Sequence, residues 1–390
     1  MKILLYYPKL EPYKDYHYFP VSILAAAAPM VANGLDVVIF DERVDDNLSL
    51  KMHNVSDFMV SVYSGYQLSR GYEVTKWVRK NYPDVKITWG GPAISAMDEK
   101  VFDHELVDNY VKGDVDDGIS PLPYWLISLG KYVNSATKRF IYISSYGCIG
   151  NCTFCQTIPR RKLTFMPLER VEKDINYLMS RYPWKECVFF DATLFTKPER
   201  AFFIANLMQK HGLKWIADSR ADEICRMPTI MLDKIMESGI TQLTVGLETG
   251  SKRIAELMKK GKNHLEKYKQ AAEILSRYDV KLTSGVIFGC PGETPEDIRQ
   301  TIEYIKQIRD INPNFYISTT YFQPLPSTEM ADMAKEYGYR EPDSLREWAE
   351  QGEQGHYKYN EYCNVPWIIE PEKYREIYEQ FRNDYKDIFV

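Results

Sequence analysis

The chain has 390 residues, 45% hydrophobic and 26% charged, with a formal net charge of −5, a composition that fits a soluble globular protein of more than one domain and argues against general affinity for nucleic-acid backbone. No stretch approaches the roughly 18 uninterrupted apolar residues of a membrane span, and the N-terminus lacks a basic stretch followed by a signal-type apolar segment, so the sequence reads as cytoplasmic. Its 7 cysteines, an odd number scattered apart from one cluster, fit metal ligands in a reducing compartment better than a secreted disulfide framework.

The first part alternates strand-like and helix-like runs. KILLYYP is an apolar run of strand length, 21–33 reads as a helix, and DVVIFD and DFMVSVY follow as strands. YQLSRGYEVTKWVRKNY has helical spacing, and VKITWGG and DNYVKGD are further strands. Alternation at this pace predicts a doubly wound parallel sheet over residues 1–132. Ligands of such sheets sit beyond the carboxyl ends of the strands, where Tyr63, Ser64, Gly65 and Tyr66, then Gly90 and Gly91, then Gly113 fall. Taken alone, those glycines also fit ordinary tight turns.

The polar stretch VNSATK marks the boundary to a second domain, 133–330. Its strand candidates are RFIYISSY, ECVFFD, KWIADS, QLTVGLE, KLTSGVIFG and NFYISTTYF, with helices starting near Leu168, Pro198, Pro228, Ser251 and Thr294. Six such units are too few to close an eight-stranded barrel and predict an open partial one, with its site at the strand C-terminal mouth. Residues 331–390 turn polar and aromatic, then end in a charged helical run from Pro371, and are expected to cap that mouth. The fold class is therefore α/β, a Rossmann-like sheet followed by a partial (β/α)6 barrel and a small, mostly helical C-terminal segment.

The chemistry concentrates in YGCIGNCTFC, where Cys148, Cys152 and Cys155 are spaced C-x3-C-x2-C directly after a predicted strand. Three thiolates can hold three irons of a 4Fe-4S cube and leave the fourth open to an exogenous ligand. A zinc site needs a fourth ligand, and the loop continues QTIPRRKL without a Cys or His. The basic run from Arg160 reads as a solvated loop. Cys187, Cys225 and Cys290 read as small buried hydrophobes, and Cys363 as a possible late ligand outweighed by packing.

At this point the chain resembles the radical S-adenosylmethionine (radical SAM) superfamily and, through its preceding sheet domain, the cobalamin-binding branch with its methyltransferases. The resemblance covers roughly residues 1–330. It implies that Cys148, Cys152 and Cys155 bind the cluster and that the open iron chelates the amino and carboxylate groups of SAM. Phe154 matches the position lying against the adenine, Asp191 the position holding the methionyl amino group, and Ser219 and Arg220 the ribose and carboxylate contacts. Glu248 matches a polar position near the ribose, and Val286 and Ile287 the segment packed on the adenine. Asp191 as a helix cap and Glu248 as an ordinary strand-end acid are the bland alternatives; polar residues recurring at successive strand ends weigh against both.

For the first domain the resemblance rests on FPVSILAAAAPMVANGLDVVIFD and VKITWGGPAIS, and it implies cobalamin without a histidine lower ligand, since FDERVDD lacks the D-x-H-x-x-G histidine. Gly90, Gly91 and Gly113 would flank the nucleotide tail, and Tyr63, Ser64 and Tyr66 the corrin's lower side. The implied activity is methyl transfer from methylcobalamin to an unactivated carbon through a 5′-deoxyadenosyl radical, with two SAM consumed per turnover. Alternatives are a radical cyclase or rearrangement enzyme with cobalamin non-methylating or absent, and, less favoured, a tRNA methylthiotransferase, whose N-terminal domain carries three further cysteines; here the first is Cys148. The expected partners are a small-molecule substrate, with a peptide as an alternative, and an external electron donor such as flavodoxin or ferredoxin; nucleic acid and membrane are not expected. Tyr316, Tyr321, Gln323, His356, Tyr357 and Tyr359 are positions that could face the substrate.

Overall fold

The structure is a computed structural model. It describes all residues except 1, 11–17, 114, 117, 134–137, 157–161, 354–364 and 390. Cys363, His356, Tyr357 and Tyr359 therefore lie outside the described residues. Two compact units emerge, one of residues 1–141, 169–184 and 341–358, the other of residues 142–168, 185–340 and 359–390.

The first unit is built on a five-stranded parallel sheet in the order β2-β1-β3-β4-β5, with β1 Lys2–Tyr7, β2 Asp36–Asp41, β3 Val55–Ser61, β4 Lys86–Gly90 and β5 Asn109–Tyr110. Its chain order includes α1 Val21–Ala32, α2 Leu48–Lys51, α3 Tyr66–Asn81 and α4 Pro92–Ala96. β1 is an apolar run buried almost throughout, as a central parallel strand with helical crossovers must be, whereas β3 and β4 mix buried with half-buried or exposed positions. Tyr6, Phe58 and Trp89 lie in the core, and Trp89 satisfies its indole N–H with Thr75 Oγ1 at 3.0 Å. The order reverses between β1 and β3, and such a switch point opens a crevice at the carboxyl edge.

A later segment completes this core. Helix α13, Leu345–Glu353, places Leu345 and Trp348 among the same buried residues. It approaches so closely that a Cβ on Gly352 would fall 2.3 Å from the carbonyl oxygen of Gly65.

A six-stranded sheet has the order β13-β12-β11-β10-β9-β6, with β6 Arg139–Tyr142, β9 Glu186–Phe189, β10 Lys214–Ser219, β11 Ile240–Val245, β12 Lys281–Phe288 and β13 Phe315–Tyr321; strands β9 to β13 lie in the second unit. Neighbours from β9 to β13 pair in parallel. All six strands fall where the sequence predicts them, and their spatial order follows chain order, as in an open partial barrel. A two-stranded antiparallel ribbon, β7 Ser145–Tyr146 with β8 Thr164–Phe165, closes the neck of the cysteine loop.

Helices α5 Leu168–Arg181, α6 Pro198–Lys210, α7 Ala221–Arg226, α8 Thr229–Glu237, α11 Pro295–Ile311, α12 Glu329–Glu336 and α14 Pro371–Asp384 connect or follow the strands. Where the sequence suggests one helix from Ser251, the structure has two, α9 Lys252–Leu257 and α10 His264–Leu275. The break holds Gly261 at φ 109° and Asn263 at φ 57°. Left-handed backbone cannot continue a right-handed helix, so the chain turns there.

Candidate functional site

The cysteine loop leaves β6 through a braced neck. Asp191, fully buried after β9, accepts from the Ser144 amide at 2.9 Å, Ser144 Oγ at 2.7 Å and Ser145 Oγ at 2.5 Å. Burial raises its pKa, and those donors together with Arg200 oppose the rise. Farther along the loop, Thr153 takes the Met258 carbonyl on its amide at 3.1 Å and donates its hydroxyl to Leu257 O at 2.9 Å.

Beyond this neck lies a cavity of about 330 Å³ whose wall includes Cys148, Cys152, Phe154, Cys155, Ser219, Arg220 and Glu248. Seven residues singled out in the sequence, from the cysteine loop and the ends of the third and fourth barrel strands, thus meet in one space. No described group of three or more His, Cys, Asp or Glu is gathered tightly enough to grip a single metal ion. Three thiols sharing a larger cavity suit a cluster whose irons spread the thiolates apart, and this donor set fits three irons of a cube. Burial pushes the Cys152 thiol up, whereas Lys260 and Arg220 pull it down.

Glu248 is held in an unusual way. Its backbone is left-handed at φ 65°, yet its amide donates to Gly285 O at 2.9 Å and its carbonyl accepts from the Ile287 amide at 2.8 Å. Left-handed geometry costs a non-glycine residue about 1 kcal/mol, so the flanking strand is enforcing it. The carboxylate then reaches Lys260 Nζ at 3.1 Å, and that ammonium sits 6.0 Å from the Phe154 ring centroid. Gly246 leaves the room: a Cβ there would come within 2.5 Å of Glu248 Oε1. Arg220 is oriented by Asp222, which accepts from Nε at 2.9 Å.

The remaining expected contacts fall outside the lining. Asp191 has its oxygens engaged at the neck, and Val286 is buried beneath the cavity rim, bridged to Glu248. Ile287 touches the site through its amide. Sequence reasoning missed Asp218, Thr244, Lys260 and His264, which also line the cavity. Asp218 stands beside Ser219 in the motif already noted, but strand alternation assigns neighbours to opposite faces and so pointed away from it; Lys260 and His264 come from the unforeseen break between α9 and α10. Burial lifts the Asp218 carboxyl to about 6.

On the first unit, Tyr63, Ser64 and Tyr66 follow β3, Gly90 ends β4, and Gly91 and Gly113 follow β4 and β5, so all six stand along the carboxyl edge of the sheet. Gly91, at φ 98°, packs so close to Val62 that a Cβ would lie 2.8 Å from its amide nitrogen. Gly113 faces open space. Among the described residues Ser64 Oγ is buried without a hydrogen-bond partner, and an unpaired buried hydroxyl at such a crest fits a ligand's polar group. A second cavity, about 410 Å³, lies by Phe40, Glu42, Arg70 and Trp77 and includes none of these six. Glu42 there is clamped by Arg70 at 2.6 Å and Tyr6 OH at 2.7 Å.

Residues 142–305 match the family model of the radical SAM superfamily. An uncharacterized methyltransferase of Pyrococcus horikoshii is 27% identical over 219 residues, 55% of this chain and 46% of that protein. A tRNA-2-methylthio-N(6)-dimethylallyladenosine synthase of Chloroflexus aurantiacus is 22% identical over 69% of this chain and 61% of its own. The chain spans about half the length of several curated relatives it matches. Among solved structures, the radical S-adenosylmethionine methyltransferase TsrM from Kitasatospora setae, with cobalamin and a 4Fe-4S cluster bound, superposes with TM-score 0.68 and 13% identity over 86% of this chain and 75% of that one. Three thiols and a strand-end acid lining one cavity agree with the family match: residues 142–305 carry a radical SAM domain, and the chain shares the fold of that cobalamin-bound methyltransferase.

Proposed function

We propose that this protein is a cobalamin-dependent radical SAM methyltransferase acting on an unactivated carbon of a small molecule. The observation that carries the reading is the single cavity joining Cys148, Cys152 and Cys155 to Phe154, Ser219, Arg220 and Glu248. The cluster would be held by the three cysteines, SAM by the remaining lining, and cobalamin by the crest from Tyr63 to Gly113. When bound, these groups supply one-electron cleavage of SAM and a transferable methyl group.

The protein's own residues bind and orient. Arg220 and Lys260 offer cations to a carboxylate, while Glu248 and Asp218 offer anions to hydroxyl, ammonium or sulfonium groups. Lys260 holds the Glu248 carboxylate in place before ligand arrives, which lowers the cost of ordering it. Phe154 contributes an apolar wall beside the thiols, and the buried strand ends exclude water. The relatives include both methyltransferases and methylthiotransferases, and the first cysteine at position 148 favours the former.

The test is anaerobic reconstitution with iron and sulfide, addition of hydroxocobalamin, and incubation with SAM, an electron donor and candidate acceptors. About four irons and one cobalamin per chain, with S-adenosylhomocysteine and 5′-deoxyadenosine among the products, are expected. Bound cobalamin with 5′-deoxyadenosine but no S-adenosylhomocysteine would replace methyl transfer with a rearrangement. Four irons without cobalt would remove the methylcobalamin route.

A further inference from the structure

The break between α9 and α10 puts a histidine into the cavity wall with its polarity already decided. His264 is 9% exposed, and its Nε2 lies 2.9 Å from the carbonyl oxygen of Leu247. A carbonyl oxygen only accepts, so Nε2 carries the proton. Burial, together with the Lys260 and Arg220 charges, lowers the imidazole to about 4, so the ring is neutral and Nδ1 bears a lone pair. Tyr268 meets the ring edge-on at 6.3 Å and limits its rotation. Among the described residues, no group donates to Nδ1.

The other polar groups of the wall behave differently. Arg220, Lys260, Lys262 and Lys267 are cations that donate, Asp218, Asp222 and Glu248 are acids, and Thr244 and Ser219 can do either. With its one donor spent on Leu247, His264 thus offers this wall a neutral acceptor. A cationic ligand group would be drawn to the carboxylates, and a carboxylate to the lysines; a neutral acceptor is suited to a neutral donor.

We propose that His264 is a specificity-determining residue of this cavity, accepting through Nδ1 a hydrogen bond from a neutral donor of the bound nucleoside, either a ribose hydroxyl or the exocyclic amino group. The inference rests on the reading of the cavity as the SAM site. It requires that the recognised position carry an N–H or O–H and that alkylating it remove the bond.

The test uses reconstituted holoenzyme and S-adenosylhomocysteine, which bears the same nucleoside and has no sulfonium to cleave, in equilibrium dialysis alongside its 2′-deoxy, 3′-deoxy and N6,N6-dimethyl analogues. One analogue is expected to bind roughly three- to tenfold more weakly than the parent, the size of one neutral hydrogen bond. His264→Phe should weaken the parent by a similar factor and leave that analogue's affinity unchanged, which identifies the donor, with iron content and melting temperature reporting that the site is intact. Should that variant not fold, His264→Gln takes its place, expected to restore part of the discrimination because it keeps an acceptor. Parent binding at full strength to the variant, or no analogue discriminated by the native protein, overturns this inference alone. Failure of the native protein to bind the parent at all overturns the SAM reading and this inference with it.

Discussion

Arg200 donates from Nη2 to the carbonyl of Ser144 at 2.7 Å, and its Nη1 reaches Met166 O at the same distance. These two carbonyls flank the ribbon from which the cysteine loop emerges, and Asp191 grips the Ser144 amide from the other side. Asp191, a position expected near the ligand, thus also braces the loop that carries the thiols. Arg200→Met strips donors from two buried carbonyls, so a loss of roughly 2–4 kcal/mol in stability is expected, with reconstituted iron per chain falling in parallel. Thermal melting and a colorimetric iron assay check this, and unchanged iron would detach the clamp from the cluster.

Gly246→Ala brings a methyl to within 2.5 Å of Glu248 Oε1. The atom it meets is the free end of a flexible side chain, so the fold should tolerate it while the carboxylate shifts away from Lys260. The expectation is a melting temperature within a few degrees of the native value and SAM affinity weakened by about tenfold, roughly the worth of one charge-assisted hydrogen bond. Equilibrium dialysis separates the two effects.

Asp218 titrates near 6 within the cavity. Above that pH it is an anion and favours a sulfonium or ammonium group; below it that attraction is lost. Affinity for SAM should therefore rise between pH 5 and pH 7, and Asp218→Asn should flatten the profile. A profile unchanged by the substitution would remove Asp218 from recognition.

Glu293 is buried after β12, where Oε2 accepts from the Gly289 amide at 2.6 Å and from Tyr374 OH at 3.2 Å. Burial lifts its carboxyl from 4.5 to about 7. A folded-state pKa above the unfolded one means the folded protein binds the proton more tightly. Its contribution to stability is thus full below pH 4.5 and declines as pH rises towards 7, by an amount on the order of 1 to 3 kcal/mol. Glu293→Gln should remove that decline, measured as the difference in denaturant midpoint between pH 5.5 and pH 8.

The strands were legible because short apolar runs bounded by glycine and polar residues admit few other structures. KWIADS and VGLETGS showed both their strand and the polar group at its end. The hinge at Gly261 was not legible: one glycine and one asparagine in a lysine-rich stretch look like a solvated helix until tertiary contacts fix them as left-handed. Lys260 and His264 entered the wall through that hinge. The bracing role of Asp191 was not legible, because a brace and a ligand contact both want a buried carboxylate at a strand end, and the hydrogen bonds from Ser144 and Ser145 show only in three dimensions.

The placement of α13 in the core of the first unit bears on how the protein is made. A ribosome delivers the β-strands of that unit early, but Leu345 and Trp348 arrive only after most of the rest of the chain has been synthesised. The nascent sheet must wait with its apolar surface incomplete, exposed to chaperones or to other chains, until residues 345–348 have been translated. Proteins released short of residue 345 should be degraded or aggregate even though every strand of that sheet is present.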